Sequence, residues 1–405
     1  MNFALLGDDL AVMSLVGAIA ADSGHSLSHA ALTTKILPDV LQSVPAVRVV
    51  PQWEELLTAE EVDAVIIAGH QEPILEGAKK LAAAGKSLLL FPDAGQGLTF
   101  IYELTLIRDD THVVLFPAFP WRLDPQVDRM RRLIESGGLG CLLHLQLERD
   151  LHKNSTSAAT PLVSAAEIEQ ALLHDIDLLR FLVGRYNQVT ALYSGTTDGS
   201  ISLASVTLAA DQLPEARWSF KANPSEWRWQ LKVTGENGRA RLSARENDDE
   251  VRLEIEGGDL PDNFEAGEYQ TGPALLEQFL ATSAGRSHHV DWSDLTHAAE
   301  ILEAAQRSVT RRRTIDVHFE SASERSLFKT QMTTLGCGLL VATLFGVMLL
   351  LVIGTLGVPR SVMHGLRVLV FLPLFVFLLL QLLMLITRPS SGESQTEEPR
   401  GSDAE

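Results

Sequence analysis

Met1-Asn-Phe-Ala-Leu-Leu-Gly7-Asp8-Asp9-Leu10-Ala11-Val12, running on through Met13–Ala20, is the stretch whose reading decides the fold. Phe3 to Leu6 is a short apolar run closed by Gly7. Beyond it Leu10, Met13, Val16 and Ala20 fall near the helical period. A buried strand, a tight turn and a helix in that order open the dinucleotide-binding type of α/β domain. A phosphate-binding turn of this type uses Gly-x-Gly-x-x-Gly: one Gly for the turn, one for backbone approach to pyrophosphate, one for helix–strand packing. Only Gly7 is present, with Asp9 at the second position and Val12 at the third. Asp8 and Asp9 put negative charge at a helix N-terminus, a place that ordinarily attracts anions.

The chain continues in the rhythm this opening sets. His25–Leu32 alternates and reads as a second strand, but it runs into Thr33, Thr34 and Lys35 instead of the carboxylate that bonds ribose hydroxyls. Lys35 is either a surface lysine or a contact for a 2′-phosphate. Val47–Val50, Val62–Ala68, Ser87–Phe91 and Val113–Phe116 read as further strands, and Glu72–Ala84 as an amphipathic helix closed by Gly85. Gln126–Ser136 reads as another helix. Alternating strands and helices imply a parallel, doubly wound sheet. From about Gly140 the pattern changes to strand-like runs, Leu142–Leu147, Val189–Tyr193, Ile201–Ala209, Ala216–Lys221, Trp229–Thr234, Ala240–Ser243 and Val251–Ile255. Helices at Ser164–Gly184, Pro273–Ser283 and Asp294–Arg311 accompany them. The expected fold is therefore a Rossmann-like α/β domain over 1–120, then an α+β domain with a mostly antiparallel sheet over 121–318.

The net charge of −19 opposes a nucleic-acid partner, because phosphate contacts need clustered Lys and Arg. The two cysteines, Cys141 and Cys337, form neither a disulfide framework nor a metal cluster. His288, His289 and Asp291 are polar neighbours on a loop, read as solvated and not metal-bound. The first apolar run has no basic segment before it and stops at Asp8. It is not read as a signal peptide, and the bulk of the chain is expected in the cytoplasm.

Several segments in order and spacing resemble the glucose–fructose oxidoreductase/inositol dehydrogenase family, Gfo/Idh/MocA, over roughly residues 1–318. Val62-Asp-Ala-Val-Ile-Ile-Ala68 with Gly69-His70 resembles its fourth-strand edge. Ala84-Gly-Lys-Ser-Leu-Leu-Leu90 resembles the approach to its Glu-Lys-Pro motif. Arg122-Leu-Asp-Pro125, then Ile134-Glu-Ser-Gly-Gly-Leu-Gly140, resembles its arginine-to-proline segment and the Gly-rich exit beyond. Leu172-Leu-His174-Asp-Ile-Asp177 resembles its His-x-x-Asp helix. Val233–Gly238 and the stretch from Leu276 to Ser308 resemble its late turn and final helices.

The resemblance implies hydride transfer between NAD or NADP and a sugar-like alcohol carbon. It implies cofactor contacts from Gly7, Asp8, Asp9, Leu10, Gly69, His70, Trp121 and Arg122, and catalytic roles for His174 and Asp177. On one helix face Asp177 can orient the His174 imidazole, or the pair can be a buried structural contact. His152, Lys153 and Asn154 fall on the expected cleft side. The Glu-Lys-Pro slot holds Phe91-Pro92-Asp93, so Pro92 stands where the family has its catalytic lysine, and Lys86 belongs to the preceding junction. Gln170 stands where the family often has an Asp, four residues before the His. The resemblance also implies a homo-oligomer formed through the open face of the antiparallel sheet.

After a linker at 319–334 come two uncharged runs, Leu335–Val358 and Val368–Ile386, each long enough for a membrane span. Pro359–Arg367 is a short turn between them, and Gly338, Ala342 and Gly346 repeat at the spacing that suits close helix packing. A transmembrane hairpin over 335–387 is expected, with both ends cytoplasmic, and the acidic tail 388–405 reads as disordered. Two functions stay open: a membrane-anchored NAD(P)-linked oxidoreductase of a sugar or cyclitol, and a non-catalytic ligand-binding or scaffolding relative.

Overall fold

The computed structural model describes residues 1–31, 47–151, 163–195, 200–222, 228–245, 251–257, 269–286, 290–317 and 343–350, and the single positions 41, 44, 370 and 372. The chain divides into two units, Met1–Phe319 and Glu320–Glu405.

The first unit begins with six short strands: β1 (Asn2–Gly7), β2 (Ser26–Ala31), β3 (Arg48–Val50), β4 (Ala64–Ala68), β5 (Ser87–Phe91) and β6 (Leu115–Pro117). They lie in the order β3-β2-β1-β4-β5-β6, and every neighbouring pair is parallel. The order reverses between β1 and β4, so the C-terminal ends of these two strands border the crevice that such sheets use for ligands. All five residues of β4 are buried, as expected of a strand covered on both faces.

Helices α1 (Met13–Ala21), α2 (Glu55–Thr58), α3 (Glu72–Ala83) and α4 (Gly97–Thr111) cover the sheet. In α3, Pro73 in the first turn and Ile74, Ala78 and Leu81 on the buried face follow the helix rules read from the sequence. The expected elements did not include α4. Its buried residues Phe100, Ile101 and Leu104 keep helical spacing, yet Leu106 is exposed and Leu98 and Ile107 are only half-buried. Leu98, Leu106 and Ile107, which lie off the buried face, blur the helical period.

The second half contains α5 (Pro125–Glu135), β7 (Leu142–Leu151), α6 (Ala165–Val183), β8 (Gln188–Gly195), β9 (Ile201–Ala210), β10 (Leu213–Ala222), β11 (Arg228–Gly235), β12 (Gly238–Arg245) and β13 (Arg252–Gly257). Helices α7 (Thr271–Ser283) and α8 (Trp292–Arg311) and the short β14 (Ile315–Asp316) follow. The eight strands run β13-β12-β11-β7-β10-β9-β8-β14. The sheet is antiparallel apart from the β7–β10 pair, which is parallel.

Alternation places Leu145 and Leu147, Trp218 and Phe220, and Leu231 and Val233 on one buried face. Helix α6 starts at a capping box, in which the Ser164 hydroxyl accepts from the Glu167 amide and the Glu167 carboxylate accepts from the Ser164 amide. Helix α8 joins the two cores. Trp292 and Leu295 sit with the first, where the Trp292 indole donates to the Thr105 hydroxyl at 2.9 Å, and Ile301 and Leu302 sit with the second.

In the C-terminal unit residues 343–350 are helical, and a Cβ added at Gly346 would come within 2.8 Å of a Val370 methyl. Among the described residues no helix is long and apolar enough to cross a membrane. The linker, most of both expected spans and the tail lie outside the described residues.

Candidate functional site

At the crevice, β1 and β4 touch through their backbones. Gly7 pairs with Ala68, has φ 108°, and would place a Cβ only 1.9 Å from the Ala68 carbonyl oxygen. Only glycine fits there, whatever the loop binds. Beyond it Asp9 is the N-cap of a single 3-10 turn, Leu10–Val12, and its Oδ1 accepts from the Ala11 backbone N–H at 2.9 Å. Leu10 is largely exposed, whereas Val12, at the third glycine position, is buried in the core. Asp8 is half-buried. A pyrophosphate bound at this turn would need the amide that Asp9 already occupies, and would meet the Asp9 carboxylate itself. The Asp9 carboxylate thus stands at the helix end where the fold would seat the pyrophosphate of a dinucleotide. Lys35 lies outside the described residues.

The exits of β4 and β5 are bound together by Gln96, whose buried amide donates to the Gly69 carbonyl at 3.1 Å and the Phe91 carbonyl at 2.9 Å. Asp93 caps the turn Ala94–Gln96, accepting from the Gly95 N–H at 2.7 Å, and lies 3.1 Å from His70 Nδ1. Pro92 at the lysine position has no proton to exchange. Lys86 does not substitute for it: its ammonium donates to the Ala59 and Val62 carbonyls at 3.0 and 2.6 Å, anchoring the loop before β4.

Gln170 on α6 closes the other side. Its Oε1 accepts from the Ala94 N–H at 2.8 Å, which fixes the orientation of the amide. Its Nε2 therefore donates to the Pro92 carbonyl at 2.9 Å and faces His174 Nε2 at 3.2 Å. In the tautomer with its proton on Nδ1, His174 accepts this bond at Nε2. Burial pulls the His174 pKa down. Phe119 packs edge-on against it at 5.8 Å.

Asp177 pairs with Arg122 and makes no hydrogen bond to the imidazole three residues away. Arg122 donates from Nε and Nη2 to the two Asp177 oxygens at 2.7 and 2.5 Å, and from Nη1 to Asp294 at 2.8 Å. Arg180 adds a second guanidinium, with Nη1 donating to the Asp294 carbonyl at 3.1 Å. Burial pushes the Asp177 carboxyl up while Arg122 pulls it the other way. The two carboxylates outweigh burial at Arg122 and raise its pKa. Arg122 is thus a buried tie between the 3-10 turn Pro120–Leu123, α6 and α8. Trp121 stacks on Trp229 at 4.6 Å with planes 7° apart.

A buried centre next to the expected pair was missed by sequence reasoning. Asp175 is 0% exposed. It accepts two bonds from Arg149 at 2.9 and 2.7 Å, one from the Trp218 indole at 2.7 Å and one from the Trp229 indole at 3.3 Å. The signal was present in strand parity. Arg149 follows Leu145 and Leu147 at two-residue steps, so a guanidinium on the buried face required a buried carboxylate. His152, Lys153, Asn154, His288 and His289 lie outside the described residues. Among the described residues no group of three His, Cys, Asp or Glu side chains is placed to hold a metal ion.

A parallel sheet of order 3-2-1-4-5-6 is followed by an open, mostly antiparallel sheet with a helix carrying His174 across its buried face. No family model matches the chain. The chain is 31% identical over 185 residues to inositol 2-dehydrogenase of Corynebacterium glutamicum, covering 42% of this chain and 52% of that protein. It is 24% identical over 279 residues to inositol 2-dehydrogenase of Rhizobium meliloti, covering 64% of this chain and 82% of that one. The chain therefore spans about half the length of the Corynebacterium relative that it matches. Among solved structures it resembles levoglucosan dehydrogenase in complex with NADH and levoglucosan, with TM-score 0.63 and 17% identity over 79% of this chain and 100% of that one. The fold is of the Gfo/Idh/MocA, inositol dehydrogenase-like type.

Proposed function

We propose that this chain is a relative of the NAD-linked sugar and cyclitol dehydrogenases that binds a polyhydroxy ligand without transferring hydride. The observation that carries this reading is the Asp9 carboxylate on the Ala11 amide, which fills the pyrophosphate position with a charge of the same sign. Three further features agree with it. Pro92 stands at the lysine position, Gln170 Nε2 lies 3.2 Å from His174 Nε2, and Asp177 is committed to Arg122. The relatives supply the ligand class: levoglucosan and inositol are both compact polyols. An active NAD(P)-linked oxidoreductase is the second reading, favoured by the similarity to inositol 2-dehydrogenase and to a levoglucosan dehydrogenase solved with NADH.

Calorimetric titration of the full chain with myo-inositol and with levoglucosan, with and without NAD, separates the two. We expect saturable binding that NAD leaves unchanged. Binding that requires NAD, or reduction of NAD by either polyol, sinks the non-catalytic reading. Absence of binding in every arm sinks the ligand.

We also place the protein at a membrane, through the C-terminal hairpin, with both ends cytoplasmic. The two long uncharged runs support this, as do the exposed Leu344, Phe345, Met348 and Leu349 on the helical segment 343–350. Protease added to sealed vesicles with the cytoplasmic face outward should digest the N-terminal unit. Its survival there would contradict this orientation, and its release by an alkaline wash would contradict the anchor.

A further inference from the structure

Past the C-terminus of α6 lies a cavity of about 850 Å³, bounded by the ends of α5 and α6, the start of β7 and the turn between β9 and β10. It stands at the other end of α6 from Gln170, roughly 21 Å away along the helix axis, and is separate from the crevice. Its walls are apolar. Ile134, Leu142, Val183 and Leu213 line it half-buried, and Leu143, two residues before the buried Leu145, is 53% exposed.

The rim carries one sign of charge. Glu135, Asp211 and Glu215 stand there, all exposed. The carbonyl end of the 19-residue helix α6 adds partial negative charge. Arg180 is the one cation among the described lining residues, and it is turned inward: its side chain is 5% exposed and its Nη1 donates to the Asp294 backbone carbonyl. A guanidinium of this chain already sits at the edge. Arg131 lies over the Phe181 ring at 4.5 Å, and its Nε donates to Glu135 at 2.7 Å; both partners line the cavity. Glu215 has Arg217 at 3.7 Å, while Asp211 has no ion-pair partner among the described residues.

We propose that this cavity binds a small organic cation, an amine or guanidine carried on a compact branched hydrocarbon. The hydrocarbon packs against Leu142, Leu143 and Leu213, and the cationic head meets Asp211 at the turn. Carboxylates and a helix C-terminus repel an anion of the same shape. The proposal is independent of the polyol reading and of the loop at Asp9.

The test is titration of the full chain, in nanodiscs of zwitterionic phosphatidylcholine, with 3-methylbutylguanidinium, 3-methylbutanol and 3-methylbutanoate. The three share one hydrocarbon body and differ in charge. Leucine methyl resonances give the readout. The guanidinium should shift the methyls of Leu142, Leu143 and Leu213 saturably at millimolar concentration, and the carboxylate should leave them in place. Asp211→Lys should weaken the guanidinium roughly threefold to fivefold, the size of one exposed ion pair. Leu143→Ser, which removes part of the wall, should weaken it by roughly fivefold. Both positions are exposed, and thermal unfolding verifies that each variant is folded.

Equal binding of the guanidinium and the carboxylate overturns selection for a cation. No saturable shift with the guanidinium, shifts confined to other leucines, or an unchanged affinity in folded Asp211→Lys and Leu143→Ser overturns the site.

Discussion

Asp175→Ala is expected to cost about 3–5 kcal/mol of stability, the range seen when one partner of a buried ion pair is removed. Arg149 is only 10% exposed and donates two hydrogen bonds to Asp175 in a bidentate arrangement. Two indole N–H groups, those of Trp218 and Trp229, also lose an acceptor inside the core. Truncation therefore leaves a buried cation and two orphaned donors at the seam between α6 and strands β7, β10 and β11. Chemical denaturation followed by tryptophan fluorescence measures this directly, since both indoles report on the site. A loss below about 1 kcal/mol, the size of one ordinary hydrogen bond, would show that the centre is not the tie described.

Gly7→Ala is expected to cost roughly 2–6 kcal/mol, combining a non-glycine residue at a forbidden φ with overpacking against a backbone atom. The residue sits at φ 108°, and its Cβ would fall 1.9 Å from the Ala68 oxygen. That oxygen belongs to the backbone of β4 and has no rotamer with which to move aside. The variant has to open the β1–β4 pairing at its C-terminal end, so the damage should localise there. Amide exchange of β1 and β4 should accelerate in Gly7→Ala, with β8 and β9 unaffected. A variant as stable as the wild type would mean that the two strands are not seated as described.

Much of the fold is legible because it is written in local periods. Ala64–Ala68 and, after Ser87, the rest of β5 through Phe91 are continuous apolar runs, and α3 carries Pro at its start and Gly85 just past its end. Helix α4 escaped because Leu98, Leu106 and Ile107, off the buried face, blur the helical period. The parallel β7–β10 pair escaped for a different reason. Both strands alternate correctly, and parity is silent on strand direction when a whole helix, α6, and two further strands intervene.

The site divides along the same line. Asp9 on Ala11 is a two-residue contact at a helix start, and the carboxylate there was readable as a charge at the phosphate position. Asp177 was read by its spacing from His174, because i and i+3 share a helix face. Its actual partner, Arg122, comes from 55 residues away, and Asp294 joins from α8. Helical spacing shows which residues share a face, but not which distant charge will reach that face first. His70 with Asp93 joins the ends of two strands that only the sheet order brings side by side.

The measurement that tests the central claim most directly is titration of the full chain with NADH and NADPH, followed by nicotinamide fluorescence. With Asp9 already on the Ala11 amide, neither nucleotide should give a saturable signal up to millimolar concentration. Saturable binding of either one in the micromolar range would contradict the account, because the loop would then be a working pyrophosphate site.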